Sequence, residues 1–463
     1  MLLPPHPSNE GGARLGKGVD SPRPSLITSV RNFTAGNPLL AKTLRNVAHL
    51  AGGNVSAMAL NMLVLALMAR LLGPVMLGVF AMLESYGTLI DQLVRLETWQ
   101  PLIRYGARAL EAGEHRRFAA LVKLGTLSDF AGAAAAGGIA WASVPVAGWL
   151  LSWSADTESL ARWYCLSVFA AISSTPVGVL RLFDRFRQFA WLEPASAAVR
   201  LAGVALLLIV HGSTWHLLIW LVVVLWMYRL ALALLALREL ARHGYANFLS
   251  ARLSDIHDIL RGYWRLTVAV NAAALVRKST QQLDVLIVGG LAGPASAGVY
   301  NFARRITLMA IKGGTMVQQV ALPDLSRLWA RGDVPGFRRL VFQIEIVSAA
   351  VGLAFVLLVA VGGNSFVQSL AGPRFAEAAL PLLLQSVAAC LFLCGSALRP
   401  ALIVVGAEKQ LLMAVIVSAA LFYAGLFLFV PALGAVGASA AHILFNLALL
   451  PAGAVAFAKA ARR

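Results

Sequence analysis

Residues 71–80 read LLGPVMLGVF and residues 291–300 read LAGPASAGVY, so the chain carries one motif twice, 220 residues apart (71 to 291). In each copy a Gly-Pro pair precedes a further glycine at the same spacing. Gly-Pro pairs are typical of tight turns. A second match pairs ALEAGEHRRFAALV (109–122) with LWARGDVPGFRRLV (328–341), 219 residues apart (109 to 328). Two matches at almost the same offset indicate an internal duplication.

The composition surrounding this repeat excludes a soluble fold. Hydrophobic residues make up 59% of the 463 residues and charged residues 13%, and the mean hydropathy is +0.75. Soluble domains are about half apolar and about a quarter charged. The net charge of +18 would suggest nucleic acid in a soluble protein, but no basic stretch lies on a foldable soluble domain. We therefore predict a polytopic integral membrane protein that binds no nucleic acid.

Apolar segments long enough to cross a bilayer recur along the chain. A transmembrane helix needs about 20 mostly apolar residues. We predict an all-α fold with twelve such helices, at 46–69, 77–96, 121–144, 160–180, 189–211, 215–237, 264–290, 297–318, 340–361, 379–404, 410–430 and 433–456. Residues 1–45, rich in Pro, Gly, Ser and Arg, are predicted to be a disordered cytoplasmic tail.

Lysine and arginine orient these helices. On one side of the membrane the Lys and Arg residues are Arg70, Arg162 and Arg374, which lie at or near helix ends, whereas the Lys and Arg residues of the tails and the remaining connections fall on the opposite side. Because cytoplasmic loops are rich in Lys and Arg, we predict a bacterial inner-membrane protein with both termini in the cytoplasm.

The repeat offset spans six helices, which is an even number. The two copies therefore enter the membrane in the same direction, as in transporters built from parallel repeats. We predict an N-terminal six-helix lobe at 46–237, a cytoplasmic linker at 238–263 and a C-terminal six-helix lobe at 264–463, around a central cavity.

Charged residues inside the predicted helices mark a candidate substrate path, because a charge in the bilayer usually faces a cavity or a partner. Away from their ends, helices 7 and 8 hold five cations and one anion, a balance that suits phosphate or pyrophosphate. An alternative is internal pairing, such as Asp284 with Arg277 or Asp91 with Arg95. The candidate binding residues are Glu84, Asp91, Arg95, Arg200, Arg277, Lys278, Asp284, Arg304, Arg305 and Lys312.

Motifs of catalysis are missing from the sequence. We find no phosphate-cradling Gly-rich loop, no metal-ligand spacing and no long external loop that could hold an active site. We expect a protein that is not an enzyme and needs no cofactor. The dispersed residues His49, His211, His216 and His442 receive no role at this stage.

Five segments resemble a known family. They are ARLLGPVMLGVF (69–80), TWQPLIRYGA (98–107), PVGVLRLFDRFRQFA (176–190), AGPRFAEAALPL (371–382) and VVGAEKQ (404–410). Their order and spacing resemble oligosaccharide flippases of the multidrug/oligosaccharidyl-lipid/polysaccharide exporter superfamily, including O-antigen translocases of lipopolysaccharide synthesis.

The resemblance implies two lobes around a cavity and alternating access. It also implies a polyprenyl-pyrophosphate-linked glycan as substrate, moved from the cytoplasmic to the periplasmic leaflet among the membrane lipids. A coupling ion and a polysaccharide polymerase machinery are further partners that it implies. A cationic cavity for the pyrophosphate is a theme of the family, and Arg277, Lys278, Arg304 and Arg305 fit it by helix and depth.

Three other functions compete with this interpretation. An ion-coupled exporter of drugs or small cations in the same superfamily would use an acidic or apolar cavity, which the acidic face of helix 2 leaves open. A glycan polymerase or transferase would need an exposed catalytic loop. A structural scaffold would not need charges inside the membrane.

Overall fold

The structure is a computed structural model that describes residues 38–279 and 282–460. Within these ranges the side chains of 38–51, 273–279, 313, 314, 316–321, 323 and 460 lie outside the description. Leu50–Arg463 form one compact unit.

Helices form all of the regular structure that these described residues adopt. The bounds of the fourteen α-helices are α1 Pro38–Val94, α2 Trp99–Glu111, α3 His115–Leu151, α4 Ala155–Tyr164, α5 Leu166–Phe169, α6 Ser174–Leu182, α7 Phe186–Ile209, α8 Thr214–Arg242, α9 His257–Ser279, α10 Leu283–Ala330, α11 Val334–Ala371, α12 Ala379–Leu393, α13 Leu398–Val404 and α14 Glu408–Ala460. Short 3₁₀ turns cover Phe248–Ser250, Leu253–Ile256 and Pro373–Ala378.

Nine helical segments of the described residues are long and apolar enough to cross a membrane, and they fit the predicted fold of about twelve spans in two six-helix lobes. The longest helices, α1, α10 and α14, each contain a glycine with positive φ: Gly73 (φ 68°), Gly293 (φ 81°) and Gly434 (φ 53°). There the chain turns back, so α1 and α14 supply two spans each. The segments α4–α6 and the 3₁₀ turn with α12–α13 each form one span, Ala155–Leu182 and Pro373–Val404. The predicted fold class is confirmed.

The two faces of the bundle can be named by their connections. We call the face that contains the turns at Gly73, Gly293 and Gly434 the turn end. The opposite face contains residues 243–256, which connect α8 to α9, and we call it the linker end.

The repeated glycine motif brings the two lobes into backbone contact near the turn end. A Cβ atom on Gly78 would lie 1.7 Å from the carbonyl oxygen of Pro294, and one on Gly298 would lie 2.0 Å from that of Pro74. Each glycine of the repeat therefore packs on the Gly-Pro turn of the other copy. Real Cβ atoms do not approach this closely, so only glycine allows the two helices to cross here.

The fourth span of each lobe is broken, and a carboxylate from the third span binds the break. Asp129 on α3 accepts a hydrogen bond from the Thr175 N–H at 2.7 Å, in the first turn of α6. Glu345 on α11 accepts the N–H groups of Ala397 and Leu398 at 2.8 and 2.9 Å, where α13 begins. These bonds satisfy backbone donors that a helix N-terminus leaves unpaired.

Helix α9 is joined to the N-terminal lobe near the linker end. The side-chain amide of Asn271 accepts the Glu97 N–H at 2.8 Å and donates to the Glu97 carbonyl at 3.0 Å. Both backbone groups of the connection between α1 and α2 are thereby bonded to one residue of α9.

Candidate functional site

One ion pair joins the lobes at mid-membrane depth. The guanidinium of Arg305 on α10 binds the Glu84 carboxylate on α1 in a short charge-assisted contact. Glu84 lies 11 residues beyond the Gly73 turn and Arg305 lies 12 beyond the Gly293 turn. At 1.5 Å per residue this is roughly 16–18 Å, about half of a bilayer core of about 30 Å. Both side chains remain open to solvent or ligand, at 49% and 37% exposed.

Further polar groups from the N-terminal lobe surround this pair. Tyr164, at the end of α4, lies within electrostatic reach of Glu84, Arg305 and Arg200. The Arg200 guanidinium on α7 donates to the Asn61 side-chain oxygen at 3.4 Å. We call the set Asn61, Glu84, Tyr164, Arg200 and Arg305 the inter-lobe cluster. Its two arginines and one carboxylate leave one excess positive charge.

Lys312 extends the positive charge of the cluster toward the linker end. It lies seven residues after Arg305 on α10, which is about 10 Å along the helix, and its side chain is exposed. No ion pair reaches Lys312 among the side chains that the structure describes. An anionic group entering from the linker end would meet Lys312 before Arg305.

Asp91 and Arg95, which share the predicted face with Glu84, form their own pair. Two hydrogen bonds of 2.7 and 2.9 Å join their side chains. Arg95 is almost fully buried in this arrangement. Residues four apart on a helix lie on the same face and can pair with each other. Asp91 and Arg95 therefore pair within α1, and neither joins the inter-lobe cluster.

Arg304 and Asp284 lie inside the C-terminal lobe instead of in the inter-lobe cluster. Asp284 is 0% exposed, and its Oδ1 accepts a hydrogen bond from Arg304 at 3.0 Å. Neighbouring residues on a helix point in directions about 100° apart, so Arg304 faces the lobe interior while Arg305 faces the other lobe. In this conformation neither Arg304 nor Asp284 can contact a substrate between the lobes.

Two residues that the sequence did not single out complete the buried site of Asp284. The Tyr300 hydroxyl donates to the second Asp284 oxygen at 2.8 Å. It also lies 2.7 Å from Nε2 of His442 on α14, which itself is 3.5 Å from that carboxylate oxygen. We call Asp284, Tyr300, Arg304 and His442 the buried network. The position of His442 in an apolar helix could have indicated a buried polar site, but the sequence does not show which residues contact this histidine.

Two of the sequence-based candidates cannot be placed. The side chains of Arg277 and Lys278 lie outside the described residues. Among the side chains that are described, no group of three or more His, Cys, Asp or Glu residues could hold a metal ion.

Comparison with known proteins identifies the family. Residues 43–329 match the family described as polysaccharide biosynthesis protein. The chain belongs to this family. A curated relative is inner membrane protein YghQ of Escherichia coli (strain K12), 26% identical over 355 residues that cover 72% of this chain and 94% of that protein. With the apolar helices, this relative supports a multi-pass inner-membrane location.

Two solved structures share the fold. The lipid II flippase MurJ, in an inward closed conformation, superposes with a TM-score of 0.65 at 13% identity and covers 89% of this chain and 90% of its own. An inward-facing MATE multidrug resistance transporter of the MOP superfamily gives a TM-score of 0.62 at 12% identity, with 87% and 93% covered. At these identities the comparison shows that the chain shares the fold of these two transporters.

Proposed function

We propose that this polysaccharide biosynthesis family member moves a polyprenyl-pyrophosphate-linked oligosaccharide from the cytoplasmic to the periplasmic leaflet by alternating access. The observation that carries the proposal is the inter-lobe cluster, in which Arg305 bridges the two lobes at mid-membrane depth and Arg200 lies within electrostatic reach of the neighbouring Tyr164. Arginine binds phosphate oxygens in bidentate fashion. The linker end would face the cytoplasm, together with both termini, and the turn end would face the periplasm.

The inter-lobe cluster suggests how substrate binding would open the space between the lobes toward the periplasm. In this conformation, the glycine crossing and the Glu84–Arg305 pair hold the lobes together toward the turn end. The pyrophosphate would enter past Lys312 and compete with the Glu84 carboxylate for Arg305. Once Glu84 is displaced, the inter-lobe ion pair is lost. The glycine crossing and the hydrogen bonds from Arg70 to the Ser369 and Leu370 carbonyls then still resist opening toward the periplasm. Substrate binding thus weakens a contact that keeps the turn end closed. A ligand can shift a conformational equilibrium in this way only if it binds the open and the closed state with different affinities.

Arg305→Gln tests the cationic site. A hydrogen bond to a charged group contributes about 1.5–3 kcal/mol, so we expect flipping to fall by roughly tenfold or more. The purified chain would be reconstituted in liposomes with a fluorescent polyprenyl-pyrophosphate oligosaccharide, and the fraction accessible to an impermeant quencher would be followed over time. Arg327→Gln, which changes an exposed arginine near the linker end of the same helix, is the matched control. Equal rates for Arg305→Gln and wild type would refute the site.

A drug or small-cation exporter is the second candidate, because Glu84 is 49% exposed between the lobes and could attract a cation. Efflux of a cationic dye that depends on Glu84, without flipping of any lipid-linked glycan, would favour it. Coupling to an ion gradient and association with a polysaccharide polymerase remain parts of the flippase proposal. A reporter fused to each terminus would test the cytoplasmic orientation.

A further inference from the structure

The buried network contains the one histidine among the described residues that lies deep in a transmembrane helix and bonds to other polar side chains there. His442 is eight residues beyond the Gly434 turn on α14, about 12 Å from the turn end. Its ring stacks on the Tyr300 ring, with the planes inclined by 18°, and packs against Phe422 at 4.6 Å between centroids. The side chain keeps 22% exposure.

The hydrogen bonds define what a proton would change. The Tyr300 hydroxyl has one hydrogen, which it donates to Asp284, so its oxygen accepts from Nε2–H of His442. The other ring nitrogen, Nδ1, is then the atom that takes up a proton. A protonated His442 would place a positive charge 3.5 Å from a carboxylate oxygen that Arg304 already neutralises through its partner oxygen. The carboxylate of Asp284 would be shared between two cations.

The network connects three segments of the C-terminal lobe that are separated by the glycine turns. Asp284 precedes the Gly293 turn, Tyr300 and Arg304 follow it, and His442 follows the Gly434 turn. Gln385 on α12 lies close to the Tyr300 hydroxyl, and Tyr423 on α14 lies within electrostatic reach of Asp284.

Arg304 links this network to the inter-lobe cluster, because it is the direct neighbour of Arg305. If Arg304 shifted toward or away from Asp284, a rotation of α10 would also carry the arginine that binds Glu84. Protonation of His442 weakens the hold of Asp284 on Arg304, and the Glu84–Arg305 pair is the inter-lobe contact next to it.

We propose that His442 is a proton-binding site of the C-terminal lobe, and that proton uptake there promotes opening of the lobes at the turn end. The site is defined by contacts inside one lobe, and only its use in transport rests on the proposed flippase function. The groups facing it are Asp284, Tyr300 and Arg304 from α10, Phe422 and Tyr423 from the first part of α14, and Gln385 through Tyr300. Histidine is the side chain whose unperturbed charge changes between about pH 5 and 8.

The test measures the distance between the lobes as a function of pH without any substrate. Spin labels at Val75 and Leu433, both exposed at the turn end, would report it by pulsed electron paramagnetic resonance. The protein would be the full chain in lipid nanodiscs, with the three native cysteines replaced. We expect the wild-type background to shift toward longer distances as the pH falls from about 8 to about 5.5. His442→Gln, which keeps a donor for Tyr300 but cannot titrate, should show one distribution throughout.

His115→Gln is the matched control, because Nδ1 of His115 also lies 2.6 Å from a tyrosine hydroxyl, that of Tyr245, at the linker end. It should respond to pH like wild type. A wild-type distribution that ignores pH, or a pH response that survives His442→Gln, would overturn the proposal. Thermal unfolding midpoints of both variants within a few degrees of wild type exclude misfolding as the cause.

Measuring glycan flipping in the same proteins distinguishes a failure of the proton site from a failure of the proposed flippase function. If His442→Gln abolishes the pH response of the lobes while no lipid-linked glycan is flipped by wild type, the proton site stands and the flippase proposal fails. If wild type flips the glycan but the rate and the distances are insensitive to pH in both proteins, the proton site fails and the flippase proposal stands.

Discussion

The two lobes share their backbone devices and differ in their charges. Each lobe has a Gly-Pro turn, a glycine five residues later that packs on the other lobe, and a carboxylate that binds the break in its fourth span. At the repeat offset of 220 residues, however, Glu84 of the N-terminal lobe corresponds to Arg304 of the C-terminal lobe (84 + 220). Duplication preserved the backbone devices, but the equivalent of Glu84 is buried against Asp284 within the C-terminal lobe, and the neighbouring Arg305 is the residue that binds Glu84 across the interface.

The largest expected effect comes from breaking the shared device, the glycine crossing. Gly298→Val would force side-chain atoms into the backbone at Pro74, and overpacking of this kind costs about 1–3 kcal/mol. We expect the closed turn end to be depopulated by roughly 10- to 100-fold and flipping to be lost. The distance between labels at Val75 and Leu433 reports the closure.

Gly138→Val on α3 is the control for that substitution, because no atom lies within 4 Å of a Cβ there. It should leave the distance and the transport rate unchanged. A Gly298→Val protein with wild-type distances would show that the crossing does not hold the turn end closed.

The carboxylates at the two helix breaks provide a second test of equivalence between the lobes. Asp129→Ala would leave the Thr175 N–H buried without an acceptor, at a cost of about 1–3 kcal/mol, and Glu345→Ala would do the same for two N–H groups. We expect both to lower the thermal unfolding midpoint by several degrees. Asp129→Asn and Glu345→Gln keep an acceptor oxygen, so their thermal unfolding midpoints should fall by less than half as much as those of the alanine variants.

These amide variants decide what the carboxylates contribute. An Asp129→Asn protein as unstable as Asp129→Ala would mean that the negative charge, and not the acceptor, stabilises the break. A large loss in one lobe with none in the other would contradict the equivalence.

The smallest effect is expected at Asn271, which joins α9 to the N-terminal lobe. Asn271→Ala removes two hydrogen bonds to the backbone of Glu97, each contributing about 0.5–1.5 kcal/mol. We expect faster hydrogen–deuterium exchange in residues 257–272 with little change in the unfolding midpoint. Thr267→Ala, which removes a bond within α9, is the control, and equal exchange in both variants would deny Asn271 this role.

The fold was predictable because a bilayer allows few structures and the repeat fixes the count of spans. The turn at Gly293 and its equivalent at Gly73 were readable from the Gly-Pro pairs. The breaks at 170–173 and 394–397 were not, because the carboxylates that stabilise them lie about 45–50 residues away in sequence.

The site was predictable by residue type but not by partner. Helical spacing gave the shared face of Glu84 and Asp91, yet it could not show that Asp91 pairs with Arg95 while Glu84 reaches the other lobe. Arg304 and Arg305 were equivalent in the sequence, and only the rotation of α10 separates the buried arginine from the accessible one. His442 was missed because its partners come from a different helix.

The most direct test of the central claim compares two lipids with the same glycan, one attached through pyrophosphate and one through an uncharged ether. If Arg200 and Arg305 hold the pyrophosphate between the lobes, wild type in liposomes will flip the charged lipid at least roughly tenfold faster. The Arg200→Gln/Arg305→Gln double variant will then lose that preference. Equal flipping of both lipids by wild type, or a preference that survives in the double variant, would contradict the account.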